Sequence, residues 1–151
     1  MTTSVRQLWA RTRLQLWPGQ YWILSFPANT LPLAAEIVAG SPEVFAALVL
    51  ERDEVAITIS DAVWFALEPR GVSFRAAGPY RALTLDLDLD LGISGYLAPA
   101  ITRLAEGGIP VVTQCGYRKD HLLVRAADAD RAMAILEQLI AAAEEIPSSP
   151  A

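Results

Sequence analysis

Apolar and polar residues alternate without a break from Leu83 to Leu89. Leu83, Leu85, Leu87 and Leu89 take one side, and Thr84, Asp86 and Asp88 take the other. A period of two predicts a strand with one buried face. Beyond Gly92-Ile93-Ser94-Gly95 the period changes. Tyr96, Leu97, Ala100, Ile101 and Leu104 fall at helical spacing, and Gly107-Gly108 supplies a stop. The apolar runs "IPVVTQCGY" and "HLLVRA" are joined by Arg118-Lys119-Asp120, which predicts a hairpin. Asp128 or Asp130 then opens a long helix whose apolar face uses Ala132, Ile135, Leu136, Leu139 and Ile140.

The first half repeats this order less cleanly. "QYWILSF" predicts a strand, "LPLAAEIVAG" a short helix or turn, and "VFAALVLERDEVAITIS" a hairpin. "SDAVWFAL" predicts a helix cut short at Pro69-Arg70-Gly71, and "GVSFRAA" another strand. Arg52-Asp53-Glu54 lies 67 positions before Lys119-Asp120-His121, and the same offset carries Asp61 onto Asp128. The pattern predicts a duplicated βαββαβ unit, its first copy degenerate. The fold class is α+β: two ferredoxin-like halves, largely antiparallel sheets, helices on one face. The expected division is an arm over 1–12, a degenerate half over 13–78, a better-formed half over 79–146, and a disordered tail over 147–151. Trp22 and Trp64 fit core positions. The arm, with Val5, Leu8, Trp9 and Thr12 and followed by Trp17, either offers an association surface or folds back over its own sheet.

Composition narrows the function classes. The chain has 151 residues, 53% hydrophobic and 19% charged, which fits one compact domain or two small halves. A net charge of -5 with scattered basic residues argues against nucleic acid. Arg6, Arg11 and Arg13 interrupt the N-terminus, and no secretory signal is visible. Pro32, Gly40 and Pro42 break the most apolar window, which argues against a membrane span. The single Cys115 excludes an internal disulfide and a thiolate zinc cluster, and fits a reducing cytoplasm.

The candidate chemistry gathers where the alternating strand ends. Backbone N–H groups at a helix start favour a carboxylate, and the glycines of Gly92-Ile93-Ser94-Gly95 let a ligand approach. Ser94 either caps the helix or serves a ligand. Asp90 beside this loop is a partner for an ammonium, or a solvated strand end. Asp86 and Asp88 face outward, about 6.6 Å apart along a strand. "DLDLDLG" fails as a calcium loop, with glycine one position late and Leu97 where a glutamate is required. The backbone of Thr113, Gln114 and Cys115 can meet a ligand or an edge strand, but ordinary sheet pairing is the favoured reading. Cys115 lacks a sequence-local activator, and His121 is the chain's single histidine, too little for catalysis or a metal site.

"DLGISGYLAPAITRLAEGGIPV" followed by "TQCGYRKDHLLV" resembles ACT domains, in particular the tandem type of small bacterial proteins and the CASTOR arginine sensors. The matching positions are Asp90, Ser94, Gly95, Leu104-Ala105-Glu106, Gly108-Ile109, Thr113, Tyr117, Asp120 and Leu122-Leu123-Val124. Pro99, Gln114-Cys115-Gly116 and His121 depart from the pattern. The resemblance implies a non-catalytic regulatory module without metal or cofactor. It would bind a small ligand, an amino acid in many ACT domains, at an interface between ACT units. The implied ligand-binding residues are Asp90, Gly92, Ile93, Ser94, Gly95, Thr113, Gln114 and Cys115. A homodimer is expected, since the edges of small sheets need cover. Two alternatives stay open: an interaction module whose site is filled by Tyr96 and Pro99, and a small enzyme on a ferredoxin-like scaffold.

Overall fold

A computed structural model of the chain describes residues 3–41, 45–67 and 72–145. Helix α1 (Val5–Trp9) and strand β1 (Arg13–Leu16) come first, then β2 (Tyr21–Pro27), α2 (Leu31–Ala39), β3 (Ala47–Leu50), β4 (Glu54–Ser60) and α3 (Asp61–Ala66). A long strand β5 (Arg75–Asp86) follows, then α4 (Ala98–Glu106), β6 (Val111–Thr113), β7 (Asp120–Arg125) and α5 (Ala129–Glu144). They form two compact units. One runs from Trp17 to Ala82; the other joins the chain up to Leu16 with that from Leu83 onward.

The Trp17–Ala82 unit is a complete βαββαβ. Its strands lie in the order β3-β4-β2-β5. β2 pairs antiparallel with β4 from Tyr21↔Ser60 to Pro27↔Glu54. Val55, Ile57 and Ile59 alternate along β4 and pack with Leu24, Phe26, Ala34 and Ile37 into one core. Trp22 stacks on Trp64 with ring centroids 4.9 Å apart, and its indole N–H donates to Asp61 at 2.7 Å. A Cβ on Gly78 would stand 2.8 Å from Trp22 Cε3, so only glycine lets β5 pass this ring.

The other unit follows the same plan with one strand taken from the N-terminus. β5 lies beside β7, and β7 pairs antiparallel with β6. The sixth element of the repeat would be a strand after α5. Its place beside β5 is filled by β1, antiparallel from Arg13↔Asp86 to Leu16↔Leu83. The order is then β1-β5-β7-β6, equivalent to that of the first unit. Leu83, Leu85, Leu122 and Val124 of the sheet pack with Ala100 and Leu104 of α4 and with Ala132, Leu136 and Leu139 of α5. Trp9 completes this core from α1. It is buried, stacks on Tyr96 at 5.1 Å, and its indole N–H donates to the Tyr96 carbonyl at 2.8 Å. Of the two fates open to the arm, folding back is the one observed. On the sheet, buried Thr84 Oγ1 lies 2.8 Å from His121 Nδ1. Burial pulls the imidazole below its usual pKa; Lys119 adds to the effect and Asp120 opposes it.

Several boundaries differ from expectation, each for a local reason. The strands expected in "GVSFRAA" and "RALTLDLDL" are one strand, because Gly78-Pro79 is taken up as a register shift rather than a break. β1 has four residues, too few to show a period. β6 covers only Val111–Thr113 of "IPVVTQCGY". α4 starts at Ala98, not at Ser94. Pro99 sits in its first turn, where a missing N–H costs nothing. Gly107-Gly108 does stop α4: Ile109 N–H bonds Leu104 O and Gly108 N–H bonds Ala105 O, both at 2.9 Å, with Gly108 at φ +69°. Asp128 occupies the cap position of α5, yet its carboxylate holds Arg131 at 3.2 Å instead of a backbone N–H. Pro69-Arg70-Gly71 and the tail 147–151 lie outside the described residues.

Two predictions follow from this packing. Trp9→Ala removes a buried ring and orphans the Tyr96 carbonyl, so denaturant unfolding is expected to show a loss of about 3–5 kcal/mol; an unchanged midpoint would mean that α1 is dispensable. His121 is favoured neutral in the folded chain, so its contribution is complete above about pH 6.5 and is lost as pH falls through the lowered folded value. Between pH 7 and pH 5 the melting temperature should therefore fall further for the native chain than for His121→Gln.

Candidate functional site

The loop between β5 and α4 and the turn between β6 and β7 face each other across a cavity of about 260 Å³. One wall is Leu89, Asp90, Leu91, Ile93, Gly95 and Tyr96; the other is Gly116 to Asp120. The walls are tied by backbone, since Leu89 N–H donates to Arg118 O at 2.9 Å. Gly116 N–H closes the turn on Lys119 O at 2.9 Å. Gly95 has φ +81°, the left-handed region that favours glycine, and this bends the loop back toward α4. Tyr96 forms the floor. Its hydroxyl lies 2.7 Å from Thr12 Oγ1, and burial first, then Asp120, pushes its pKa up to about 12 against the opposing Thr12 bond.

Four charged side chains line this space: Asp90, Arg118, Lys119 and Asp120. The two cations are already paired. Arg118 bonds Asp88, and Lys119 bonds Asp86 with Asp88 at 3.7 Å. The bond to Asp86 is the main cause that raises the Lys119 pKa. Asp86 and Asp88 thus brace the hairpin turn. Exposed pairs of this kind contribute about 0–1 kcal/mol each, so they orient the turn more than they stabilise the fold. Asp90 accepts the Gly92 N–H at 2.7 Å, and Asp90 O accepts the Ile93 N–H at 3.1 Å. Its second carboxylate oxygen is left for other partners.

The sequence-expected residues divide into two groups. Asp90, Ile93 and Gly95 line the cavity; Gly92 and Ser94 belong to the same loop but do not line it. Ser94 does not cap α4, whose cap position is Leu97 without a side-chain bond. Thr113, Gln114 and Cys115 lie outside the lining. Thr113 pairs with Leu122, and Gln114 N–H donates to His121 O at 2.9 Å. Arg118-Lys119-Asp120 was read as a hairpin turn, and Tyr117 and Asp120 as positions of the ACT resemblance, but none of them as lining a site. The available signal was charge complementarity, a basic pair in a turn set against a strand end rich in aspartate.

Cys115 is exposed, yet its thiol is pushed up to about 11. Partial burial is the largest cause, then the hydrogen bond and charge of Asp120; the backbone at His121 pulls the other way. A thiol so held stays protonated at neutral pH and is a poor nucleophile. His121 is turned to Thr84 by its Nδ1. Among the described residues no three His, Cys, Asp or Glu side chains gather as metal ligands, and no helix is long and apolar enough to cross a membrane.

Residues 76–138 match the family model of the ACT domain. No curated protein sequence matches the chain at a significant level. Among solved structures, the chain is similar to a protein from Agobacterium tumefaciens, with TM-score 0.66 and 21% identity over 85% of this chain and 89% of that one. A Vibrio cholerae protein of unknown function, described as a possible transport protein, gives TM-score 0.69 and 20% identity over 91% and 96%. The ligand-free regulatory subunit of aspartate kinase from Thermus thermophilus gives TM-score 0.61 and 12% identity over 85% and 97%. At these identities the likeness is one of fold. The ACT-domain match of residues 76–138 takes in both walls of the cavity, in a chain whose fold is shared with that regulatory subunit.

Proposed function

We propose that the chain is a non-catalytic regulatory module of the tandem ACT type that binds a free amino acid in the cavity between the β5–α4 loop and the β6–β7 turn. The observation that carries this reading is the lining itself. Two carboxylates, Asp90 and Asp120, stand with two cations and the polar backbone of a glycine-containing loop around about 260 Å³. A zwitterion presents both signs within a few bonds, and such a lining can meet both. In the proposed mode the free oxygen of Asp90 receives the ligand's ammonium. Loop N–H groups and the hairpin cations receive its carboxylate. The thiol and imidazole on this unit are held neutral, which suits binding rather than catalysis.

The cavity opens beside exposed apolar side chains. Leu91 and Tyr117 are 70% and 79% exposed. We infer that a second copy of the chain covers them and closes the site, giving a homodimer whose assembly the ligand tunes. A reduced cysteine fits a cytoplasmic setting.

The test is a thermal-shift screen of the common amino acids, followed by calorimetry. One or a few should raise the melting temperature saturably, by mass action on the folded state. Asp90→Asn keeps an oxygen for the Gly92 N–H and removes the charge. The ligand-free melting temperature should then be unchanged and the affinity about tenfold or more lower. Silence from every amino acid in both assays would sink the proposal.

A further inference from the structure

We propose a second binding site, distinct from the cavity above, in the groove between α1, α4 and α5: a site for a small amphipathic carboxylate, such as a medium-chain fatty acid. The groove has a volume of about 280 Å³. Its floor is apolar, made by Val5 and Trp9 of α1, Pro99 of α4 and Leu139 of α5. Arg6 and Arg103 line the groove as well, and among the described residues no Asp or Glu does. In a chain of net charge -5 this is a local reversal of sign.

The two arginines are differently placed. Arg6 donates through Nε to Ala143 O at 3.1 Å and through Nη2 to Ala142 O at 3.5 Å. These are carbonyls of the last turn of α5, where a cation is favourable. That use takes two of the five guanidinium N–H groups and fixes the side chain at the groove's edge. The Arg103 guanidinium makes no hydrogen bond or ion pair among the described residues, so its five donors remain. Two guanidinium groups without an acid partner select a planar anion, and a carboxylate fits the fork bidentately. The floor selects an apolar body. A dry cavity of about 150 Å³ accommodates a benzene, so the groove suits a chain or ring system somewhat larger. A bare phosphate would leave the floor uncovered, and a zwitterion would bring an ammonium against the arginines.

The probe is sodium octanoate below its micellar concentration, titrated into the full chain by calorimetry, with the Trp9 indole N–H followed by NMR. Saturable binding that shifts the Trp9 signal is expected. Arg103→Gln should weaken it about tenfold or more. Ala142→Phe, at an exposed position, should block the groove without lowering the melting temperature. Octan-1-ol and octylamine should bind at least about tenfold more weakly than octanoate. Asp90→Asn should bind octanoate as the native chain does, which separates this site from the amino-acid cavity. Absence of octanoate binding, equal binding of the alcohol, or indifference to both groove variants would overturn the proposal.

Discussion

The bond from the Trp9 indole to the Tyr96 carbonyl holds the cavity's architecture together. Tyr96 is the floor of the cavity, and its position depends on a residue 87 places earlier. The stacked rings and the Thr12 hydroxyl on the phenol fasten the same loop to the N-terminal segment. A loop with a left-handed glycine and a late helix start has little regular hydrogen bonding of its own. Its shape is imposed by packing from the N-terminal segment. The same helix α1 presents Val5 and Trp9 to the groove on its far side, so one short element shapes two concave surfaces.

The second constraint is electrostatic. Asp86 and Asp88 end the alternating strand and meet Lys119 and Arg118 in the hairpin turn. Each pair is weak, being half exposed. Their combined effect is positional: the turn's cations are held against the strand, and Asp90 and Asp120 are left with spare acceptor capacity. The repeated aspartates of "LTLDLDLDLG" thus do two jobs by position. The first two brace a neighbouring turn, and the third shapes the loop through the Gly92 N–H.

Much of this was legible in the chain. The βαββαβ order, the alternating strand, which ends at Asp86 rather than at Leu89, the stop at Gly107-Gly108 and the repeat offset all rest on short-range periodicity and on turn chemistry. What stayed hidden was non-local. β1 is four residues of "RLQL", and only its pairing with β5 makes it a strand. Gly78-Pro79 reads as a terminator, yet the ladder on both sides absorbs it. Of the candidate site, the loop around Asp90 could be found from a glycine-flanked strand end. The opposite wall, Tyr117 to Asp120, was marked only by a basic pair set against a distant aspartate-rich strand end, and nothing local sets such a turn apart from an ordinary one. Thr113 to Cys115 were placed by family likeness; Thr113 and Gln114 join the ladder with β7, and all three lie outside the cavity lining.

The borrowed strand has a consequence for how the molecule is made. Arg13 pairs with Asp86, so β1 is synthesised well before the part of β5 it pairs with. The whole Trp17–Ala82 unit is translated in between and carries a full βαββαβ of its own. On a ribosome β1 must wait, with its edge unpaired, while that unit is completed. The entropic cost of closing so long a loop grows only logarithmically with its length. Collapse of the intervening unit shortens the effective loop further. The connectivity thus lets the Trp17–Ala82 unit be complete before β1 can pair.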